Sequence, residues 1–121
     1  MRKICESELK VLTVLWENGR MKAADIARQL KEDVGWSKNT TYTVIDRCVK
    51  KQLISRMDPG YICVPAFSKR RASENSMREL LENYFDGSAV RFFLTFLNIS
   101  GATRAEAKEM RRILKNRMER K

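Results

Sequence analysis

Asp58-Pro59-Gly60 stands between two short β-prone runs, Leu53 to Met57 and Tyr61 to Val64, in the stretch LISRMDPGYICVP. Pro and Gly each supply a backbone angle that a tight turn demands, so the stretch reads as a two-stranded hairpin closed by Pro65. Three helical segments precede it. Three helices and then a hairpin, within about 60 residues, is the order of a winged helix-turn-helix, in which the third helix reads DNA and the hairpin is the wing. The expected fold class is therefore mainly α.

The helices are marked by spacing and punctuation. Ser7 is placed to cap the first, whose apolar residues Leu9, Val11, Leu12, Leu15 and Trp16 recur at helical intervals until Gly19 stops it. The second covers Ala23 to Glu32, with Ile26, Ala27 and Leu30 as its inner face, although Lys22 stands where a small polar cap is expected. Asp33-Val34-Gly35 breaks it, Trp36 is an anchor, and Ser37 caps a third helix from Lys38 to about Gln52.

The third helix carries the chemistry. Thr41, Val44, Ile45, Cys48 and Val49 fall on its inward side, and Asn39, Thr40, Tyr42, Thr43, Asp46, Arg47 and Lys50 fall outward or on the flanks. Short amide and hydroxyl side chains come first and cations follow, as insertion of the helix N-terminus into a groove requires. Asn can pair an adenine edge and Thr can hydrogen-bond or touch a thymine methyl. Arg47 can reach a guanine edge or a phosphate, while Lys50 and Lys51 suit phosphates as point charges. Asn39, Thr40, Thr43 and Arg47 are the expected base or near-base contacts. Ser37, Lys50, Lys51 and the wing's Arg56 are expected at phosphates, Lys38 shares the helix entry, and Tyr42 suits either role.

After Pro65 the chain changes character. Lys69 to Ala72 reads as a basic connector, and Met77, Leu80, Leu81, Tyr84 and Phe85 form an amphipathic stripe ending at Gly87. VRFFLTFL, Val90 to Leu97, is apolar nearly all round and must be covered on several sides. Thr103 is placed to cap a last helix to about Arg120, with Ala107, Met110, Ile113 and Leu114 inward. Three helices in about 50 residues make a thin core, so a second copy of the chain is the expected cover. Leu81, Tyr84, Phe85, Phe92, Phe93, Phe96, Leu97, Met110, Ile113 and Leu114 are the expected dimerisation residues. The division is a DNA-binding domain over 1–67 and a homodimerisation domain over 68–121.

Charge agrees with a polyanionic partner. The 121 residues carry 25 Lys and Arg against 15 Asp and Glu, a net charge of +10, spread over both halves: 12 basic against 8 acidic in 1–66, and 13 against 7 in 67–121. With no His there is no Ser/His/Asp or Cys/His nucleophile system, and no glycine-rich phosphate loop or zinc spacing occurs. No enzyme, cofactor or metal is expected. Cys5, Cys48 and Cys63 are odd in number and widely spaced, consistent with reduced thiols, with Cys48 in the core. No apolar run approaches a membrane span and no signal-peptide h-region is present, so a cytoplasmic location is expected.

Three stretches, SELKVLTVLWENG, AADIARQL and WSKNTTYTVIDRCVKKQLI, resemble the penicillinase-repressor family (BlaI/MecI type). The family frames its recognition helix with a Trp-Ser-x-x-Thr opening and an Arg-Leu-Val-Lys-Lys-Gly ending. Here these are Trp36-Ser37-x-x-Thr40 and Arg47-Cys48-Val49-Lys50-Lys51-Gln52. The likeness continues through the wing to YFDGSAVRFFLTFL and the last helix. It implies a dimeric repressor of a palindromic operator, connected with antibiotic resistance. It also implies release when a membrane-bound sensor protease, responding to a β-lactam, cuts the dimerisation region. Thr95-Phe96 stands where characterised repressors carry Asn-Phe, as the corresponding cleavage site. The copper-responsive branch carries Cys-x-Cys pairs where this chain has KNRMERK, so copper sensing is not expected.

Two other classes fit parts of the pattern. A winged-helix module that binds only protein shares the fold but not the salt-dependent affinity for duplex DNA. A membrane-surface binder would use Arg104, Lys108, Arg111, Arg112 and Lys115, but Glu106 and Glu109 interrupt that face.

Overall fold

A computed structural model describes residues 3–119. In chain order the elements are α1 (Glu6–Asn18), β1 (Met21–Lys22), α2 (Ala23–Val34), α3 (Lys38–Lys50), β2 (Ile54–Met57), β3 (Ile62–Pro65), α4 (Lys69–Phe85), α5 (Ala89–Ser100) and α6 (Arg104–Glu119). They divide into two compact units, Met1–Ser76 and Met77–Lys121, so the boundary falls inside α4. The expected end of the last helix at Arg120 lies outside the described residues.

In the first unit the apolar stripes of α1, α2 and α3 meet in one core. Val11, Leu12 and Leu15 of α1, Ile26 and Leu30 of α2, and Val44, Ile45 and Cys48 of α3 pack with Leu53, Ile54 and Cys63 of the hairpin. Leu9, counted with the α1 stripe, is 45% exposed, because it turns onto the helix flank. Trp16 seals one edge: its indole N–H donates to the Phe67 carbonyl at 2.9 Å. Cys48 and Cys63 are fully buried. Burial pushes their thiols up to about 12 and about 11, so both are inert small core residues at neutral pH.

The wing has one strand more than the hairpin. Met21 and Lys22 pair antiparallel with Cys63 and Ile62, giving the sheet order β1-β3-β2. On the other side Ser55 pairs with Val64 and Arg56 with Cys63. Pro65 is the last residue of β3 rather than a stop after it, paired with Ile54. Gly60 takes φ +96° in the turn, a conformation other residues adopt only with strain. Together with the three helices this sheet makes a winged helix, and the protein is mainly helical.

Three sequence expectations shift. The cap of α1 is Cys5, not Ser7, and Ser7 lies within the first turn. Glu8, at the third helical position, reaches back to accept from the Cys5 N–H at 2.8 Å, which satisfies the backbone donor of the cap residue. The third helix ends at Lys50, because Gln52 takes φ +62° and breaks the helical path. The basic connector from Lys69 to Ala72 is the first turn of α4, with Ser68 accepting from the Arg71 N–H at 3.1 Å.

Thr41 is fully buried on the inner face of α3, and its hydroxyl has no hydrogen-bond partner among the described residues. Thr41→Val removes that hydroxyl at nearly constant shape. It is expected to raise unfolding free energy by about 1 kcal/mol, read by urea denaturation; an equal or lower midpoint would show the hydroxyl to be satisfied in solution.

In the second unit no described residue is buried. Phe85 of α4 and Phe92 of α5 meet edge to face at 5.1 Å, and Thr103 caps α6 by accepting from the Glu106 N–H at 3.1 Å. Phe93, Leu94, Phe96, Leu97, Ile99, Ile113 and Leu114 remain between 39% and 79% exposed. Among the described residues no helix is long and apolar enough to cross a membrane.

Candidate nucleic-acid interface

Ser37 begins α3 as expected. Its Oγ accepts from the Thr40 N–H at 3.1 Å and donates to the Thr40 hydroxyl at 2.9 Å, which fixes the helix entry. Burying Thr41, Val44, Ile45 and Cys48 turns the opposite side of the helix outward. Asn39, Thr43, Asp46 and Lys50 are all exposed, and their spacing of four, three and four residues places them in one row along that side. Asn39, Thr43 and Lys50 have no side-chain partner among the described residues, so their donors and acceptors are open to a ligand. Lys38 lies beside the same entry, its ammonium 5.8 Å from the Tyr42 ring centroid.

Arg47 and Lys51 occupy a different place. Both turn to α1, where Glu8 is fully buried. Lys51 Nζ donates to one Glu8 oxygen at 2.6 Å and to the Lys3 carbonyl at 2.7 Å. Arg47 Nε donates to the other Glu8 oxygen at 2.9 Å, and Arg47 Nη2 to the Ser7 hydroxyl at 2.5 Å. Burial pushes the Glu8 carboxyl up, but the hydrogen bonds from Lys51, the Cys5 N–H and Arg47 outweigh it and hold the group down to about 2. Two of the cations expected at DNA therefore brace α3 against α1. The Arg47 side chain keeps 46% of its surface exposed, so a phosphate can still reach its guanidinium.

The wing meets α3 through aromatic and charged groups. Tyr61 packs edge to face on Tyr42, with centroids 6.0 Å apart, and its hydroxyl donates to Asp46. The Arg56 guanidinium lies 3.6 Å from the Tyr61 centroid, and its Nε donates to Asp58 at 3.1 and 3.2 Å. Arg56 is thus an exposed cation at the base of the turn, partly neutralised by Asp58.

The structure brings Ser37, Lys38, Asn39, Thr40, Tyr42, Thr43 and Lys50 onto the outward side and the entry of one helix, with Arg56 on the adjoining wing. Glu8 was missed by sequence reasoning, although a signal existed. It falls on the inward stripe of α1 with Leu12 and Leu15, where a carboxylate requires a cationic partner. Tyr61 and Asp46 were missed as a pair because their contact joins two elements that local patterns treat separately.

Residues 4–116 match the family model of the penicillinase repressor. The penicillinase repressor of Bacillus licheniformis is 23% identical over 121 residues, covering 98% of this chain and 94% of the relative. A solved structure, the solution structure of the DNA binding domain of the repressor BlaI, superposes with a TM-score of 0.51 at 24% identity. That match covers 57% of this chain and 90% of the other.

Proposed function

The chain belongs to the penicillinase-repressor family, and from that premise we propose that it is a homodimeric transcriptional repressor that reads a palindromic operator with the N-terminal half of α3. Residues 1–67 supply the DNA-reading surface and residues 68–121 the pairing surface. The single observation that carries the reading is the outward row of α3: small amide and hydroxyl groups at Asn39 and Thr43, followed by Lys50, all exposed on a chain of net charge +10. In this arrangement Asn39 and Thr43 read base edges, with Thr40 and Tyr42 beside them. Lys38, Lys50 and Arg56 hold phosphates, and Arg47 adds a phosphate contact from its exposed edge.

The apolar surface of the second unit supports pairing. Exposed Phe93, Phe96 and Leu97 are the kind of surface that a soluble monomer covers. Release follows cleavage between Thr95 and Phe96 by a membrane-bound sensor protease that responds to a β-lactam, and both residues are exposed in α5. A cytoplasmic location completes the reading.

The test is titration of full-length protein on duplex DNA across a range of salt. Binding is expected to fall steeply as salt rises, and Lys50→Ala is expected to flatten the slope by about one unit while weakening all sequences alike. Asn39→Ala is expected to cost about 1 to 3 kcal/mol on operator DNA and little on random duplex. Salt-independent binding, or equal losses for both variants on both DNAs, would contradict the assignment.

A further inference from the structure

The exposed row of α3 contains a carboxylate. Asp46 lies between Thr43 and Lys50, on the side that the proposed function turns toward a polyanion. Left bare there, a carboxylate would repel phosphates and weaken binding to every sequence. Asp46 is not bare. It accepts the hydroxyl hydrogen of Tyr61, the residue that leads into the returning wing strand. The Tyr61 ring is half-buried, edge to face with Tyr42 of α3, and carries the Arg56 guanidinium over it. Arg56 is in turn bound to Asp58. Asp46, Tyr61, Arg56 and Asp58 thus form one connected chain from the middle of α3 to the wing turn.

We infer that Tyr61 is a positioning residue for DNA recognition: it fixes the wing against α3 and masks the Asp46 carboxylate from the phosphate backbone. The inference rests on the DNA-binding reading above. Tyr61 needs no contact with DNA to act in this way. Its hydroxyl gives its one hydrogen to Asp46, and Arg56 lies over its ring, so one side chain covers the carboxylate of the reading row and positions a wing cation. Burial and then the Asp46 carboxylate raise the phenol above its ordinary range, so the donor is protonated at neutral pH.

The two actions separate experimentally. Tyr61→Phe keeps the ring on Tyr42 and beneath Arg56 but removes the hydrogen bond, which unmasks Asp46. Its affinity for a random-sequence duplex pool at low salt is expected to fall about tenfold. Adding Asp46→Asn to the same chain is expected to return affinity to within about twofold of wild type, because the unmasked charge is gone. A purely structural role for Tyr61 predicts no such rescue. Amide hydrogen exchange of the DNA-free protein is the second readout: Tyr61→Phe is expected to speed exchange in Ile54–Pro65 and leave the core of α1 unchanged. Wild-type affinity in Tyr61→Phe, absence of rescue by Asp46→Asn, or unchanged hairpin exchange would each overturn the inference. A wild-type protein that fails to bind any duplex sinks the DNA reading and the masking role with it, while the exchange data still decide whether Tyr61 orders the wing.

Discussion

Phe93→Glu is expected to convert the protein to monomers in light scattering and to lower its affinity for a two-half-site operator by about two to three orders of magnitude. Phe93 is 42% exposed, stacked on Phe96 at 6.4 Å, so a charge there does not disturb the contact of Phe85 with Phe92 that joins α4 to α5. The protomer should keep its helical circular dichroism. A carboxylate placed in an apolar contact between two copies has no partner, and the pairing free energy is lost. The loss in DNA affinity follows from linkage. In a dimer the second half-site is engaged at an effective concentration far above that of free protein, and separating the copies removes that gain without touching α3. Binding to a single half-site should therefore be unchanged. A chain ending at Thr95 is expected to behave in the same way. An unchanged dimer mass for Phe93→Glu would refute the pairing surface.

Glu8→Gln is expected to lower unfolding free energy by about 3 kcal/mol at neutral pH and to flatten the acid limb of the stability profile. The carboxyl is held down to about 2, against an unfolded value near 4.5. A group whose pKa is depressed by folding contributes stability that is complete above its unfolded pKa and is lost as pH falls through the folded value. The window here runs from about pH 5 down to about pH 2, and a difference of that size corresponds to roughly 3 kcal/mol. Gln keeps the volume and the acceptor for the Cys5 N–H, but leaves Lys51, whose side chain is 19% exposed, and Arg47 without a counter-charge. Urea denaturation of both proteins at pH 7 and pH 3 checks this. Parallel loss of stability on acidification would place the pH dependence elsewhere. On the proposed DNA reading the same triad couples recognition to the fold: Arg47→Ala is expected to remove a brace of α3 as well as the proposed phosphate contact, whereas Lys50→Ala is expected to remove only its proposed contact.

The elements that the sequence made legible are those held by local physics. Ser37 capping α3, the buried face Thr41, Val44, Ile45 and Cys48, and the Asp58-Pro59-Gly60 turn are all written within a few residues of where they act. What escaped is set by distance along the chain. The strand β1 is only Met21 and Lys22, too short to show a period, and exists because β3 offers an open edge. The Glu8 triad joins residues 39 and 43 positions apart, so the sequence displays three charges and not their meeting. Read locally, Arg47 and Lys51 are simply cations on an outward flank; packing of α1 on α3 turns them toward Glu8. The first turn of α4 looks like a connector in the sequence because Lys69, Arg70 and Arg71 carry no apolar stripe, yet Ser68 and the backbone suffice to start a helix there.

The central claim is that the N-terminal half of α3 reads base edges in a symmetric site. Selection of bound duplexes from a random pool, by the full-length protein and by the Asn39→Ala/Thr43→Ala variant in parallel, tests it most directly. The account predicts an inverted repeat with half-sites about one helical turn apart, or a multiple of it, and loss of preference at the same positions of each half-site in the variant. A pool without a repeat, or a repeat that the variant recovers unchanged, would contradict it.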